Sequence, residues 1–129
     1  MVKIDLAALI EQAASDIETL TVAEAAQRHA DGAQFVDVRE PQEWLGGYIA
    51  GTLLIPRGNL EFAIGDRVCS LDRRLIVYCE SGERATLAAA QLKRLGFRNV
   101  AAMVDGGYEE WAAADYPTAH NPLKPLLDQ

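Results

Sequence analysis

The chain has 129 residues, of which 50% are hydrophobic and 24% charged, a composition typical of a globular protein. This length favours one domain and allows a sizeable hydrophobic core. The net charge of −7, with 19 acidic against 12 basic residues, argues against nucleic-acid binding through a broad basic face. The apolar runs are too short for a transmembrane helix, and no secretory signal follows Met1. We therefore expect a cytoplasmic protein that binds neither nucleic acid nor membrane.

Helix signals occur along the whole chain. Asp5 can cap a first helix, which has one apolar stripe formed by Leu6, Leu9, Ile10, Ala13 and Ile17. A capping box from Thr21 to Glu24 opens a second helix that runs to about Ala30. Further helical segments are predicted at residues 41–45, 59–64, 84–95 and 108–114. In the segment 84–95, the residues expected to be buried are Ala85, Ala88, Leu92 and Leu95.

Short apolar segments between these helices predict strands at residues 35–38, 52–55, 75–78 and 100–104. Strands that alternate with helices at this spacing indicate a parallel sheet with helices on both faces. No internal repeat and no linker divides the chain. The fold class predicted from the sequence is therefore a single α/β domain.

Cys79 is the candidate for chemistry, because it directly follows the predicted strand 75–78 and precedes the helix that starts near Arg84. Such a position is the ligand-binding edge of an open α/β sheet. Free amide groups and the dipole of the following helix favour negative charge there, and so would stabilise a thiolate. The other cysteine, Cys69, has no motif around it and is expected to be a packing or surface residue. His29 and His120 are the only histidines, and neither has an evident partner, so a cysteine–histidine pair has little support.

Three ordered motifs resemble the rhodanese domain. The first comprises Asp37-Val38-Arg39-Glu40, Glu43-Trp44, residues 47–52 and Ile55-Pro56; the second is residues 79–85; the third is residues 105–111. The resemblance extends from about residue 20 to residue 117. It implies a rhodanese-like domain at residues 20–117, with residues 1–19 as an N-terminal helical extension and 118–129 as a C-terminal tail on the surface.

The resemblance implies sulfur transfer. Cys79 would be the nucleophile, taking a sulfane sulfur from thiosulfate, polysulfide or a persulfide and passing it to cyanide or a thiol. Amide groups from Glu80, Ser81, Gly82, Glu83 and Arg84 would cradle the terminal sulfur, and Arg84 would hold the charged part of an anionic donor. No metal or organic cofactor is implied.

Asp37 and Arg39 are interpreted as structural or site-supporting, with Arg39 bridging to a carboxylate such as Glu43.

Glu80 and Glu83 place two carboxylates in a loop that should receive an anion, which leaves a neutral or protein-bound persulfide as an alternative to thiosulfate. Tyr48 stands where the family commonly has histidine, at a position interpreted as structural.

Two other functions stay open at this point. The first is a sulfur-relay or regulatory module whose partner is another protein, as the acidic loop suggests. The second is a cysteine phosphatase or arsenate reductase. Cysteine phosphatases place five residues between cysteine and arginine, whereas only four lie between Cys79 and Arg84. The shorter loop favours a sulfur atom over a phosphoryl group.

Overall fold

A five-stranded parallel sheet forms the centre of the computed structural model, which describes residues 1–121. Its strands are β1 (Glu18–Leu20), β2 (Gln34–Asp37), β4 (Leu53–Leu54), β5 (Leu75–Tyr78) and β6 (Val100–Met103). Their order across the sheet is β1-β6-β5-β2-β4, so β5 is the central strand. Every pairing in this sheet is parallel. The four strands predicted from sequence are confirmed to within one or two residues at each end.

Among residues 1–121, five α-helices surround the sheet: α1 (Leu6–Ser15), α2 (Val22–Ala30), α3 (Leu60–Ala63), α4 (Glu83–Arg94) and α5 (Tyr108–Ala113). Short segments of 3-10 helix cover Pro41–Gly46, Arg57–Asn59 and Ile64–Asp66. The capping box of α2 forms as predicted, with Glu24 N–H donating to Thr21 Oγ1 at 3.1 Å and Thr21 N–H to Glu24 Oε1 at 2.9 Å. The hydroxyl and the carboxylate thus satisfy amides that the helix itself leaves free.

The two faces of the sheet carry separate apolar cores. On one face, Val77 of β5 packs with Ala88 and Leu92 of α4 and with Leu60 of α3. On the other face, Ile76 packs with Ala25 of α2 and Trp111 of α5. Successive residues of a strand point to opposite faces, so a strand that is buried throughout feeds both cores. The predicted α/β class with helices on both faces is confirmed.

A small second sheet fastens the end of the described chain. Strand β3 (Tyr48–Ile49) pairs antiparallel with β7 (Thr118–Ala119). Trp111 reinforces this contact, because its indole N–H donates to the Pro117 carbonyl at 2.8 Å. Residues 118 and 119, predicted to lie in a surface tail, are therefore part of a sheet; the rest of that tail, from residue 122, lies outside the described residues.

Two expectations about individual elements are wrong, and one strand was missed. Strand β1 was not predicted, although it pairs with β6 at the edge of the sheet. Leu95 is 47% exposed, because α4 ends at Arg94 and the chain turns so that Phe97 enters the core instead. In α1, Leu6 and Leu9 are exposed and Ala13 is the buried residue, so the predicted apolar stripe is only partly covered.

Candidate active site

Strand β5 carries Cys79 to the C-terminal edge of the sheet. All four residues of Leu75–Tyr78 are buried, and the strand lies between β2 and β6. In parallel sheets, loops at this edge form the ligand sites. The structure therefore places Cys79 where the sequence predicts, at the end of the most enclosed strand and before α4.

Gly82 gives the loop after Cys79 its shape. Its φ of +100° is a conformation that residues with a side chain rarely adopt. A Cβ at this position would lie 2.7 Å from the Val104 carbonyl oxygen and 2.8 Å from Val104 Cα. The Gly82 carbonyl accepts hydrogen bonds from Thr86 N–H at 2.9 Å and from Thr86 Oγ1 at 2.7 Å. The loop is thus fixed to the first turn of α4 on one side and to Val104 on the other.

The Cys79 sulfur accepts two backbone hydrogen bonds. Gly82 N–H donates to Sγ at 3.1 Å and Ala85 N–H donates at 3.4 Å. Both amides belong to the start of α4, where the N–H groups have no partner within the helix and the dipole favours negative charge. Cys79 itself is fully buried. This arrangement suits a thiolate, or a further sulfur anion attached to it.

The donors to Cys79 Sγ only partly coincide with the amides predicted to cradle a terminal sulfur, and that cradle stays a prediction. Of the predicted amides at residues 80–84, that of Gly82 bonds the sulfur, and the second donor is Ala85, one residue beyond that range. The position could have been found from the sequence, because the third residue of a helix also has a free N–H group.

The motif at residues 105–111 packs directly on the loop. A Cβ on Gly107 would overlap the carbonyl oxygens of Cys79 and Glu80. Tyr108 N–H donates to the Cys79 carbonyl at 3.2 Å, and Gly107 N–H donates to Glu110 Oε1 at 2.7 Å. Glycine at position 107 therefore permits a close backbone contact that fixes the position of the Cys79 loop.

The Arg84 side chain pairs with a carboxylate at the site. Its guanidinium forms a two-pronged ion pair with Glu43, with Nη1–Oε1 at 2.8 Å and Nη2–Oε2 at 2.9 Å. Glu80 Oε2 lies 3.8 Å from Nη2. The Arg84 hydrogen bonds hold the pKa of the Glu43 carboxyl down, at about 2, and the same pair raises the pKa of Arg84. Glu43 is thus a site residue whose role was not predicted, because its partner lies 41 positions away in sequence.

The remaining loop residues face solvent. Glu80, Ser81 and Glu83 are exposed, and the Glu80 side chain is 67% accessible. Exposed carboxylates interact through water and are screened by salt. The loop acids therefore form a rim at the site.

Asp37 and Arg39 form a buried ion pair beside the site. Arg39 Nη2 lies 2.9 Å from Asp37 Oδ2 and also donates to the Gly47 carbonyl at 2.8 Å. Its guanidinium lies 4.7 Å from the centre of the Tyr108 ring. The expected bridge from Arg39 to the Glu43 carboxylate is not formed: Arg39 Nη1 donates to the Glu43 main-chain carbonyl at 3.3 Å, while the carboxylate pairs with Arg84. These contacts support the structural interpretation of the pair.

The other candidate residues lie apart from this chemistry. Cys69 is exposed, and both cysteines are free. His29 has partners that the sequence did not reveal: Nε2 lies 2.8 Å from the Ala50 carbonyl oxygen, and the ring packs edge-on against Phe35 and Trp111. His29 is thus a packing residue of the second core.

No group of three or more histidine, cysteine or acidic side chains is arranged to hold a metal ion within residues 1–121. None of the helices there is long and apolar enough to cross a bilayer.

Comparison with known proteins identifies the family of the fold. The model of the Rhodanese-like domain family matches residues 21–114. The thiosulfate sulfurtransferase GlpE of Pseudomonas entomophila is 34% identical over 103 residues, covering 80% of this chain and 91% of the relative. GlpE of Pseudomonas aeruginosa strain LESB58 is 36% identical over 94 residues, covering 73% of this chain and 82% of the relative.

Solved structures of other proteins share this fold. A Rhodopseudomonas palustris protein of unknown function, described as a possible tyrosine phosphatase, has a TM-score of 0.80 and 32% identity, covering 92% of this chain and 97% of its own. A rhodanese-related protein from Thermoplasma volcanium has a TM-score of 0.66 and 27% identity, covering 81% and 99%. The chain belongs to the rhodanese-like domain family, and its relatives include single-domain proteins named as thiosulfate sulfurtransferases.

Proposed function

We propose that this chain is a sulfurtransferase in which Cys79 carries a sulfane sulfur as a persulfide. The observation that supports this most is the pair of amide hydrogen bonds to Cys79 Sγ, from Gly82 at 3.1 Å and Ala85 at 3.4 Å. Fixed donors aimed at a sulfur anion stabilise it without reorganisation during the reaction. The names of the GlpE relatives support the same chemistry.

The reaction consists of two displacements. The Cys79 thiolate attacks the outer sulfur of thiosulfate, a new S–S bond forms, and the old S–S bond breaks with its electron pair leaving on sulfite. With a persulfide donor, the leaving group is the donor's own thiolate. In the second step, cyanide or an acceptor thiolate attacks the terminal sulfur and the Cys79 thiolate leaves. The two steps balance without an external oxidant or reductant.

The contacts of Arg84 favour a donor of low charge. A guanidinium that is free can bind an anion through two parallel hydrogen bonds, but here Glu43 already occupies both positions. The rim adds the carboxylates of Glu80 and Glu83, which repel a dianion. We therefore expect a small persulfide or a persulfide on a partner protein to be used better than thiosulfate.

A second candidate function is a sulfur-relay or regulatory module that does not turn over small molecules. Full burial of Cys79 and the acidic rim favour it, because a protein partner could bring its own basic surface to the rim. This candidate predicts slow turnover with every small donor, together with fast exchange of sulfur with a partner protein.

The phosphatase and arsenate-reductase alternative has less support. The likeness to the Rhodopseudomonas palustris protein, a possible tyrosine phosphatase, is the reason to test it. Against it, only four residues separate Cys79 from Arg84, and Glu43 occupies the arginine that a phosphoryl group would need. We expect neither hydrolysis of an aryl phosphate nor reduction of arsenate.

The discriminating experiment is steady-state turnover with cyanide as acceptor and a panel of donors. We expect thiocyanate to form faster from an alkyl persulfide of low charge than from thiosulfate, and not to form catalytically in Cys79→Ser. Cys69→Ser is the matched control, since it removes the other, exposed thiol. Absence of turnover with thiosulfate, polysulfide and persulfide alike would exclude the enzyme and leave the relay module.

A further inference from the structure

A basic cleft opens at the edge of the sheet opposite Cys79, where β5 and β6 begin. Its volume is about 430 Å³. Apolar residues from the strand starts and the turn before β2 form part of its lining, namely Ala33, Leu75, Ile76, Val100 and Ala101. Four basic side chains also line it, namely Arg28, Arg74, Lys93 and Arg98. No residue of the Cys79 site takes part in this cleft.

The basic side chains are only partly compensated. Glu18, the one carboxylate among the lining residues, is taken by Arg28 at 2.7 and 3.0 Å. These hydrogen bonds hold the pKa of Glu18 below its usual range, with a smaller contribution from the charge of Arg74. Within residues 1–121, the Arg74 guanidinium has neither an ion pair nor a hydrogen bond, although it lies near Glu18.

The other two cations have weak or uncharged partners. Arg98 pairs with Asp72 at 2.8 Å, but their side chains are 62% and 67% exposed, and ion pairs this accessible contribute little. Lys93 Nζ donates to the Asp16 main-chain carbonyl at 2.8 Å, which leaves its charge uncompensated. An anion in the cleft would thus compete with water and weak pairs rather than with buried ion pairs.

This cluster of basic residues contrasts with the acidic net charge of the chain. The chain has a net charge of −7 and 12 basic residues, and four of those 12 line this one cleft. Cations gathered in a concave site with low-dielectric walls focus a positive potential and attract anions. We propose that the cleft is a binding site for a compact polyanion of the organic-phosphate class.

The chemistry of the lining selects this class. The guanidinium groups of Arg74 and Arg98 present forked donors that match phosphate oxygens, and the ammonium of Lys93 adds a point charge. The terminal nitrogens of Arg28 are held by Glu18, so this side chain contributes less. The volume falls within the range of small-molecule sites, roughly 300–1,000 Å³. The net charge of −7 disfavours a long polyanion such as a nucleic acid, so the ligand is small. The apolar part of the lining accommodates its organic part.

Calorimetric titration of the full chain with inorganic pyrophosphate, and separately with ADP and with citrate, tests the site. We expect saturable binding of both phosphates that weakens with salt, and binding about ten-fold weaker in Arg74→Gln, as for loss of one charge-assisted hydrogen bond. Arg67→Gln is the control, because Arg67 is exposed and outside the cleft and its loss changes the net charge equally. Equal weakening by both variants, or no saturable binding, would refute the site.

Amide chemical shifts then locate the ligand. Pyrophosphate should perturb the amides of Leu75, Ile76 and Val100 and leave those of Gly82 and Ala85 unchanged. Shifts confined to the Cys79 loop would contradict the proposal, and citrate binding as tightly as pyrophosphate would contradict the assignment to phosphates. Because this readout does not involve Cys79, it can fail while the sulfurtransferase proposal holds, and the reverse is equally true.

Discussion

At the scale of single residues, the ion pair between Glu43 and Arg84 controls which donors the site can use. The pair neutralises the cation nearest to the start of α4, with both prongs shorter than 3 Å. An arginine engaged in this way has its charge compensated, and an incoming anion can reach only the N–H groups that the carboxylate leaves free. Donor charge, rather than donor size, should therefore decide which substrates react.

Replacement of Glu43 by glutamine tests this directly. Glu43→Gln removes the competing carboxylate, so we expect kcat/KM for thiosulfate to rise about five- to ten-fold, chiefly through KM, as expected for an interaction that binds the donor. Turnover with an alkyl persulfide of low charge should change less than two-fold. Glu18→Gln is the control, since it breaks a similar pair, with Arg28, at the far edge of the sheet. An unchanged thiosulfate KM would show that Arg84 does not contact the donor.

The loop acids make a weaker contribution that salt should abolish. With Glu80 and Glu83 both replaced by glutamine, we expect alkylation of Cys79 by iodoacetate and use of thiosulfate to rise about two- to three-fold at low ionic strength. The gain should vanish near 0.5 M salt, since exposed charges are screened there. The control is a variant with asparagine in place of Asp31 and Asp72, which precede β2 and β5. It removes the same amount of negative charge from the opposite edge of the sheet. A gain that persists at high salt would place the carboxylates closer to the thiol than the structure does.

The same ion pair predicts how stability depends on acid. The pKa of the Glu43 carboxyl is about 2 in the folded protein, against an ordinary value of 4.5. Because the folded pKa is the lower one, the pair stabilises the fold above pH 4.5, and this stabilisation is lost as pH falls from about 4.5 to about 2. Screening at the half-exposed Arg84 limits it to about 1 kcal/mol.

Denaturant unfolding of the wild type and of Glu43→Gln from pH 7 to pH 2.5 measures this effect. The difference in unfolding free energy between the two proteins should be largest at neutral pH, begin to shrink near pH 4.5 and fall well below half of its neutral value at pH 2.5. A difference that stays constant over this range would mean that the Glu43 carboxyl does not titrate as the geometry requires.

At the scale of elements, the cysteine loop is held between the start of α4 and the turn before α5. Gly82 contacts Val104, and Gly107 contacts the carbonyl oxygens of Cys79 and Glu80. The amides that face Cys79 Sγ depend on this clamping, because a displaced loop would turn them away from the sulfur. The turn before α5 is therefore a positioning element for the site.

Gly107→Ala should damage both activity and stability. The added Cβ overlaps backbone atoms that cannot rotate away, so the loop must shift at a cost of about 1–3 kcal/mol. We expect kcat for sulfur transfer to fall at least ten-fold while the far-ultraviolet spectrum is retained. Gly65→Ala is the matched control, since nothing lies within 4 Å of its Cβ position. Equal activity of the two variants would contradict the clamping role.

The elements also show what a sequence can predict. Apolar segments such as Leu75–Tyr78 and the capping box at Thr21 are local signals, and both were located correctly. Strand β1 was missed because only Leu20 of its three residues is buried, and its pairing with β6 is made by backbone atoms. Leu6 and Leu9 were expected to be buried but are exposed. Hydrophobic periodicity shows that a helix has an apolar face, but it does not show how much of that face packs against α4.

The candidate site likewise has features that the sequence predicts and contacts that it does not. Its cysteine, loop length and helix start lie within one short stretch and were predictable. The partner of Arg84 was not, because Glu43 lies 41 positions earlier and the turn Pro41–Gly46 brings it to the loop. Similarly, Gly107 could be predicted as part of a turn, but its contact with the Cys79 carbonyl exists only in three dimensions.

At the scale of the whole molecule, the two edges of the sheet have opposite electrostatic character. The edge with Cys79 carries the exposed carboxylates of Glu80 and Glu83, while the other edge carries the basic cleft around Arg74. A partner protein that docks at the cysteine edge would need a basic surface, whereas small phosphates are drawn to the far edge. Donor and polyanion thus would not compete for one site.

The central claim is that Cys79 carries the transferred sulfur, and the mass of the intact protein tests it most directly. After incubation with a persulfide donor and removal of excess reagent, the wild type and Cys69→Ser should each gain the mass of one sulfur atom, and cyanide should remove it with formation of one thiocyanate per chain. Cys79→Ser should gain nothing. A wild-type protein that never gains this mass with persulfide, polysulfide or thiosulfate, or a Cys79→Ser variant that does, would contradict the account.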